Sequence, residues 1–206
     1  MQRRSAMVWI AAGAGFAAAG GLLTACSKQA PAFVAFDITG VDYGRDFSLT
    51  DHNGKTRHLG DFAGKVVVLF FGYTQCPDFC PTSMLELAEA KKALGQDGER
   101  LQGLFITVDP ERDTPELLKA YMGNFDPSFL ALYTSLEKLA ALAREFKVYY
   151  KKVPSEPATT PPSYTMDHSA GSYIYDTRGR LRLFTRYGSG APALASDIAI
   201  LLKEAP

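Results

Sequence analysis

Uninterrupted apolar runs alternate with amphipathic stretches along most of this chain. Val66 to Phe71 is wholly apolar and Leu104 to Val108 nearly so. Such runs predict central strands buried on both faces. Met84, Leu87, Ala88 and Leu94 recur at helical spacing between them and predict a helix over Thr82 to Leu94, stopped by Gly95 and Gly98. Thr114-Pro115 is an N-cap followed by proline at the first helical position, opening a helix that runs to about Gly123. Phe129 to Tyr133 predicts a third strand. Leu136, Leu139, Ala140, Ala143 and Phe146 mark another amphipathic helix. Val148 to Val153 predicts a short strand, and Ser155 to Ser163, with its prolines, a loop. Ser172 to Asp176 and Leu181 to Arg186 predict a hairpin around Arg178-Gly179, and Ala191 to Glu204 a closing helix. Upstream, Phe47 to Lys55 predicts a hairpin turning at Asn53-Gly54 in a type I′ turn. Strand–helix alternation closed by a hairpin and a helix predicts a three-layer α/β sandwich, with no internal repeat and no second domain.

Composition narrows the function classes. The 206 residues suffice for one domain with its own core. Hydrophobic residues at 47% and charged residues at 21% exclude wholesale disorder. The 22 basic and 22 acidic side chains cancel, and no basic tract stands out, which argues against a nucleic-acid partner. Three Cys and three His are too few for a disulfide scaffold and enough for one small site.

The N-terminus reads as an address. Arg3 and Arg4 precede an apolar, charge-free stretch from Met7 to Leu23, followed by Leu23-Thr24-Ala25-Cys26. This is the order of an export signal. Its end resembles a bacterial lipobox, which implies cleavage before Cys26 and lipid on that residue. The alternative is an uncleaved membrane helix, since Met7 to Ala25 approaches the roughly 20 residues a crossing needs. Both place the domain outside the cytoplasm on an N-terminal anchor. The expected organisation is a signal peptide over 1–25, a membrane tether over 26–46 and one folded domain over 47–206.

Cys76 and Cys80 carry the chemistry. They follow the first buried strand and open a helix, in Phe71-Gly72-Tyr73-Thr74-Gln75-Cys76-Pro77-Asp78-Phe79-Cys80-Pro81. Sites in α/β sheets form at the carboxyl ends of strands, and a helix N-terminus lowers thiol pKa values, so both thiols are expected to be acidic. Redox pairs of the thioredoxin type use Cys-x-x-Cys, whereas this spacing is i, i+4. On a regular helix it sets the Cβ atoms ~5–6 Å apart, against ~3.5–4.5 Å for a relaxed disulfide. The wider gap favours a metal without excluding a switchable disulfide. A purely structural bridge closes too short a loop to constrain the unfolded chain much. A third ligand is needed, and His52, His58 and His168 are the candidates. Asp109 ends the neighbouring strand and either supports the site, contacts a partner or caps the following helix. Asp78, between the cysteines, either supports the site or only shapes the turn.

Three ordered motifs carry a resemblance: Phe71-Gly72-Tyr73-Thr74 with Cys76-Pro77-Asp78-x-Cys80-Pro81, then Val108-Asp109-Pro110-x-Arg112-Asp113-Thr114, then Asp167-His168-Ser169. Together they resemble the Sco/SenC family, copper-binding proteins that assist assembly of cytochrome c oxidase. The resemblance implies a thioredoxin-like sandwich with an N-terminal β-hairpin extension and an inserted loop or hairpin. It implies copper, Cu(I) or Cu(II), held by Cys76, Cys80 and His168. Many members carry His just before the first Cys, where this chain has Gln75. Soft thiolates select Cu(I), and imidazole suits both oxidation states; zinc is chemically possible at such a site.

The expected function is that of a lipid-anchored metallochaperone on the periplasmic side of a bacterial membrane, the inner membrane being favoured. Its client is expected to be subunit II of cytochrome c oxidase, at the dinuclear CuA centre, or a related heme-copper oxidase, with another copper chaperone as a possible supplier. No catalytic residue is assigned in that role. The alternative is a thiol–disulfide oxidoreductase that reduces the cysteines of the apo CuA site, with Cys76 and Cys80 redox-active and Cys76 attacking. A peroxidase stands third, because no low-pKa thiol with Thr and Arg partners is visible.

Overall fold

A computed structural model describes residues 32–154 and 164–204. The export segment, Cys26 and residues 155–163 lie outside the described residues. Ten strands and four helices follow in chain order. The strands are β1 (Phe36–Asp37), β2 (Leu49–Asp51), β3 (Thr56–Arg57), β4 (Val66–Gly72), β5 (Leu101–Thr107), β6 (Leu130–Tyr133), β7 (Tyr150–Pro154), β8 (Tyr164–His168), β9 (Gly171–Tyr175) and β10 (Leu181–Arg186). The helices are α1 (Phe79–Ala93), α2 (Pro115–Gly123), α3 (Leu136–Glu145) and α4 (Ala191–Lys203). None of them is long and apolar enough to cross a membrane.

The two apolar runs are the centre of the sheet. Every residue of β4 and β5 is buried, and the strands pair in parallel from Val66 opposite Leu101 to Gly72 opposite Thr107. The main sheet runs β1-β10-β9-β4-β5-β6-β2-β3, and β7-β8 form a separate two-stranded ribbon. Crossovers between parallel strands are right-handed. The steps β4-α1-β5 and β5-α2-β6 advance in the same direction, so α1 and α2 share one face. The return towards β9 places α3 on the other. Contacts agree: Phe105 of β5 meets Tyr121 of α2 at 5.4 Å, while Phe71 of β4 meets Phe146, at the end of α3, at 5.3 Å. Helix α4 packs along α1. The α/β sandwich expected from the pattern is the one observed.

Differences from expectation are local. The hairpin at β2–β3 is not a type I′ turn. Gly54 alone has positive φ, 81°, and its N–H donates to the Asp51 carbonyl at 2.8 Å. The buried Asp51 carboxylate accepts from the N–H groups of Asn53 and Lys55 and from Arg57 Nε. A carboxylate that organises its own turn overrides the dipeptide preference. Helix α1 begins at Phe79, one turn earlier than the apolar stripe implies. Pro81 fits there because first-turn N–H groups lack intrahelical partners. Of residues 26–46, read as tether, the described part, 32–46, is packed on the domain. Strand β1 pairs with β10, and Val34 and Ala35 donate their N–H groups to the buried Asp197 carboxylate at 2.8 Å each. The inserted hairpin is real, and its second strand, β8, was not anticipated.

Candidate metal centre

The chain leaves β4 at Gly72 and turns through Tyr73 to Cys76, whose N–H donates to the Tyr73 carbonyl at 3.2 Å. Cys76 therefore precedes helix α1, and Cys80 sits in its first turn. The regular-helix spacing assumed for the pair does not apply. Asp78 occupies the N-cap without capping through its side chain. The N–H groups of Asp78 and Cys80 point instead at Cys76 Sγ, so a sulfur stands where a capping oxygen usually does. Asp78 itself is exposed and accepts from the Tyr187 hydroxyl at 3.2 Å.

Both cysteines are free thiols. Cys80 is fully buried at 0% exposure and Cys76 is at 7%, so only Cys76 has an open side. Room for Cys80 comes from Gly72: a Cβ there would lie 2.7 Å from Cys80 Sγ. The thiols are not alike electrostatically. The hydrogen bond from Cys80, with help from the backbone N–H groups of Asp78 and Cys80, holds the Cys76 thiol far below the ordinary range. Burial, and the neighbouring Cys76, push Cys80 far above it. The expectation that both are acidic thus holds for Cys76 alone, because two adjacent buried thiolates repel unless a cation joins them.

His168 ends β8 and reaches the sulfurs from the ribbon. Its Nε2 lies 3.4 Å from Cys80 Sγ, and its Nδ1 is 3.0 Å from the Ser169 carbonyl. A carbonyl only accepts, so Nδ1 carries the proton and Nε2 presents its lone pair to the sulfurs. Tyr73 and Phe70 fix the ring edge-on at 5.8 and 6.1 Å. The ligand atoms of Cys76, Cys80 and His168 all lie within 4.8 Å of one another. Cys76 and His168 open onto a cavity of about 360 Å³ whose lining includes Met166 and Tyr149. A larger cavity, about 620 Å³, lies between residues 39–45 and the β9–β10 turn and contains neither thiol nor imidazole. His52 and His58 stand apart from the cluster. Nδ1 of His52 accepts from the Ala131 N–H, and Nδ1 of His58 donates to the Phe47 carbonyl.

The second motif surrounds this cluster. Asp109 is buried and does not cap α2, which Thr114 caps by accepting from the Leu117 N–H. The Asp109 carboxylate instead pairs with Arg112 Nε and accepts from the Tyr164 hydroxyl at 2.9 Å. Arg112 Nη1 donates to Gln75 Oε1 at 3.1 Å and to the Tyr164 carbonyl at 2.8 Å. Asp113 accepts from the Thr74 hydroxyl at 2.6 Å, from the Thr74 N–H and from the Thr107 hydroxyl. Its burial without a cation raises its pKa. Asp109 and Asp113 thus pin the loop that leads into Cys76. Arg112, Asp113, Thr74 and Tyr164 were not singled out from the residues. Thr74, Arg112 and Asp113 lie in the quoted motifs, and that was their only signal.

A model of the SCO1/SenC family matches residues 37–203. The chain belongs to the SCO1/SenC family. It is 35% identical over 161 residues to an SCO2-like protein of Rickettsia prowazekii, covering 77% of this chain and 78% of that one. To the mitochondrial SCO2 homolog of Bos taurus it is 40% identical over 148 residues, 71% of this chain and 53% of that one. Among solved structures, Bradyrhizobium japonicum ScoI with copper bound is 39% identical, with a TM-score of 0.67 over 76% of this chain and 97% of that one. Apo Sco1 of Thermus thermophilus is 36% identical, with a TM-score of 0.71 over 82% and 97%. The fold of this SCO1/SenC chain is therefore the thioredoxin-like sandwich that the motifs implied.

The donor set fits copper. Bonds of about 2.0–2.3 Å from sulfur and nitrogen to one centre place trigonal ligands about 3.8 Å apart. The observed spread of up to 4.8 Å closes to that with sub-ångström shifts. Two soft sulfurs and an imidazole suit Cu(I), and a monovalent cation between the sulfurs offsets the burial and the repulsion that otherwise keep Cys80 protonated.

Proposed function

We propose that this protein binds one copper ion through Cys76, Cys80 and His168 and hands it on during cytochrome c oxidase assembly. The observation that carries this reading is the convergence of two thiols and an imidazole within 4.8 Å at the end of β4. The family supports it, since the Bradyrhizobium relative has copper bound. Three protein ligands leave the ion open to an incoming donor, which is what transfer by ligand exchange requires. The site opens on the Cys76 side, so a client's ligand enters there. Its client is the apo CuA centre of cytochrome c oxidase subunit II or of a related heme-copper oxidase, and its copper comes from another chaperone. Export, cleavage before Cys26 and lipidation of that residue keep it on the periplasmic face of the membrane, most simply the inner one.

The thiol asymmetry favours a second reading. The Cys76 thiolate attacks a client disulfide and forms a mixed disulfide, releasing one client thiolate. Cys80, once deprotonated, attacks Cys76 and releases the second, leaving an oxidised Cys76–Cys80 pair and a reduced client. That route makes no use of His168. Titrating Cu(I) and Cu(II) into the reduced fragment 27–206, beside a His168→Ala variant, separates the two. One tightly bound copper per chain, loosened by the variant, is the expected result. Weak binding indifferent to His168, with a readily exchanged disulfide, assigns the chain to the oxidoreductases.

A further inference from the structure

Strand β8 carries His168, yet the ribbon β7–β8 is separate from the main sheet. Its ladder joins only its own two strands, from Tyr150 opposite His168 to Pro154 opposite Tyr164. Beyond the chain's return into β9 at Gly171, the place of the imidazole over the sulfurs depends on side-chain ties between ribbon and body, among them the edge-on contacts of Tyr73 and Phe70 with its ring. Lys152 pairs with Glu111, but both side chains are nearly half exposed, where solvent screens such pairs. Met166 of β8 is buried in the core of the body. The ties at the Tyr164 end of the ribbon converge on Arg112 and its partner Asp109.

One guanidinium joins the segments that hold the ligands. Nη1 donates both to Gln75 Oε1, on the residue before Cys76, and to the carbonyl of Tyr164, which opens the strand ending at His168. The same plane stacks 3.6 Å over the Tyr164 ring, and Nε pairs with the buried Asp109. Asp109 closes the circuit by accepting from the Tyr164 hydroxyl. The guanidinium is thus anchored on β5's end, grips the ribbon by backbone, ring and, through Asp109, hydroxyl, and touches the cysteine loop.

We propose that Arg112 is a positioning residue for His168: its guanidinium latches the β7–β8 ribbon to the cysteine loop and so sets the distance between imidazole and sulfurs. The proposal rests on reading the cluster as a copper centre. A planar fork is what the task needs, because donors fixed in one plane meet carboxylate, carbonyl and amide oxygen together while the face stacks on an aromatic ring. A lysine offers a point charge and no plane.

The test uses the full-length chain in detergent, with Arg112→Gln, Arg112→Lys and Tyr164→Phe variants. In the reduced, metal-free state, hydrogen exchange is followed at the amides of β8 and β4. Loss of the latch is expected to speed β8 exchange about tenfold in both Arg112 variants, and less in Tyr164→Phe, while β4 stays at the parental rate. After loading with Cu(II), electron paramagnetic resonance reads the imidazole nitrogen splitting and absorption reads the thiolate-to-copper band. The splitting is expected to fade in both Arg112 variants with the sulfur band retained. Unchanged β8 exchange, or unchanged nitrogen splitting, in the Arg112 variants overturns the proposal. If those variants do not fold, Tyr164→Phe, which keeps the ring over the guanidinium and loses only the tie to Asp109, decides by the same criteria. A parent chain that takes no copper overturns the copper reading and the role built on it. A failure confined to the variants overturns the latch alone.

Discussion

Gly72 leaves the space that the Cys80 thiol fills, since a Cβ on it would also stand 2.8 Å from the rings of Phe105 and Phe70. Backbone at the end of β4 is held by β5, Gly72 standing opposite Thr107, and by β9 as far as Phe70, so it yields little. Gly72→Ala is expected to cost about 1–3 kcal/mol of stability, as overpacked cores do, and to weaken copper binding by displacing Cys80. Urea melts and copper competition on the same protein check both. The thiols next to it make a separate prediction. A lowered pKa means that Cys76 keeps its thiolate as the pH falls, whereas an ordinary cysteine loses about tenfold in reactivity per pH unit below ~8.5. In the reduced, metal-free chain, alkylation of Cys76 by iodoacetamide should stay nearly flat from about pH 8 to about pH 5, with Cys80 silent throughout. A tenfold loss per unit would show that the hydrogen bonds from Cys80 and the helix N–H groups do not hold the thiolate.

Elements that draw on local signals were legible, and those that depend on distant partners were not. The cap of α2 is a case of the first kind: Thr114 binds a backbone N–H three residues on, and nothing else is needed. Thr114→Ala is expected to cost about 1 kcal/mol, measurable by urea melt, with copper binding intact. Strands β4 and β5 announced themselves because both faces are covered and almost every position is apolar, Gln102 and Thr107 of β5 being buried on hydrogen bonds. Strand β1 is a case of the second kind. It has two residues, both exposed, and is held by a carboxylate on α4 some 160 positions away. No window of sequence contains both halves of that contact. Asp197→Ala leaves two N–H groups unpaired and should cost about 1–3 kcal/mol. Because β10 and β9 separate β1 from β4, it should leave the copper site unaltered. Strand β8 failed for a related reason. Its partner β7 lies across the proline-rich stretch, and five residues of mild alternation are too few to stand out.

At the scale of the whole molecule, the candidate site was half legible. Two cysteines at the mouth of a buried strand could be read directly. The third ligand came only through resemblance: His52 and His58, at the hairpin, read as solvated residues, and nothing local decides between a ligand and a structural histidine at His168. The fold makes the distinction by bringing a ribbon 88 positions from Cys80 over the thiols. The ligands therefore arrive from a loop, a helix and a ribbon, and an ion that binds all three favours the folded chain over the unfolded one. With free Cu(I) at about 100 times the dissociation constant, that preference amounts to about 2.7 kcal/mol. In a domain of this size each kcal/mol raises Tm by about 2–4 °C, so a rise of about 5–11 °C is expected, read by calorimetry under reducing conditions. The unfolded chain still offers two cysteines four positions apart and takes some copper itself, which lowers the observed rise. It cannot offer His168 at the same time without closing a loop of 88 positions. The part of the rise that depends on long-range structure is therefore the part that His168→Ala removes. A Cys76→Ser, Cys80→Ser double variant should show no rise at all. A His168→Ala chain stabilised as much as its parent would mean that copper is held by the cysteine turn alone and that the ribbon serves something other than the metal.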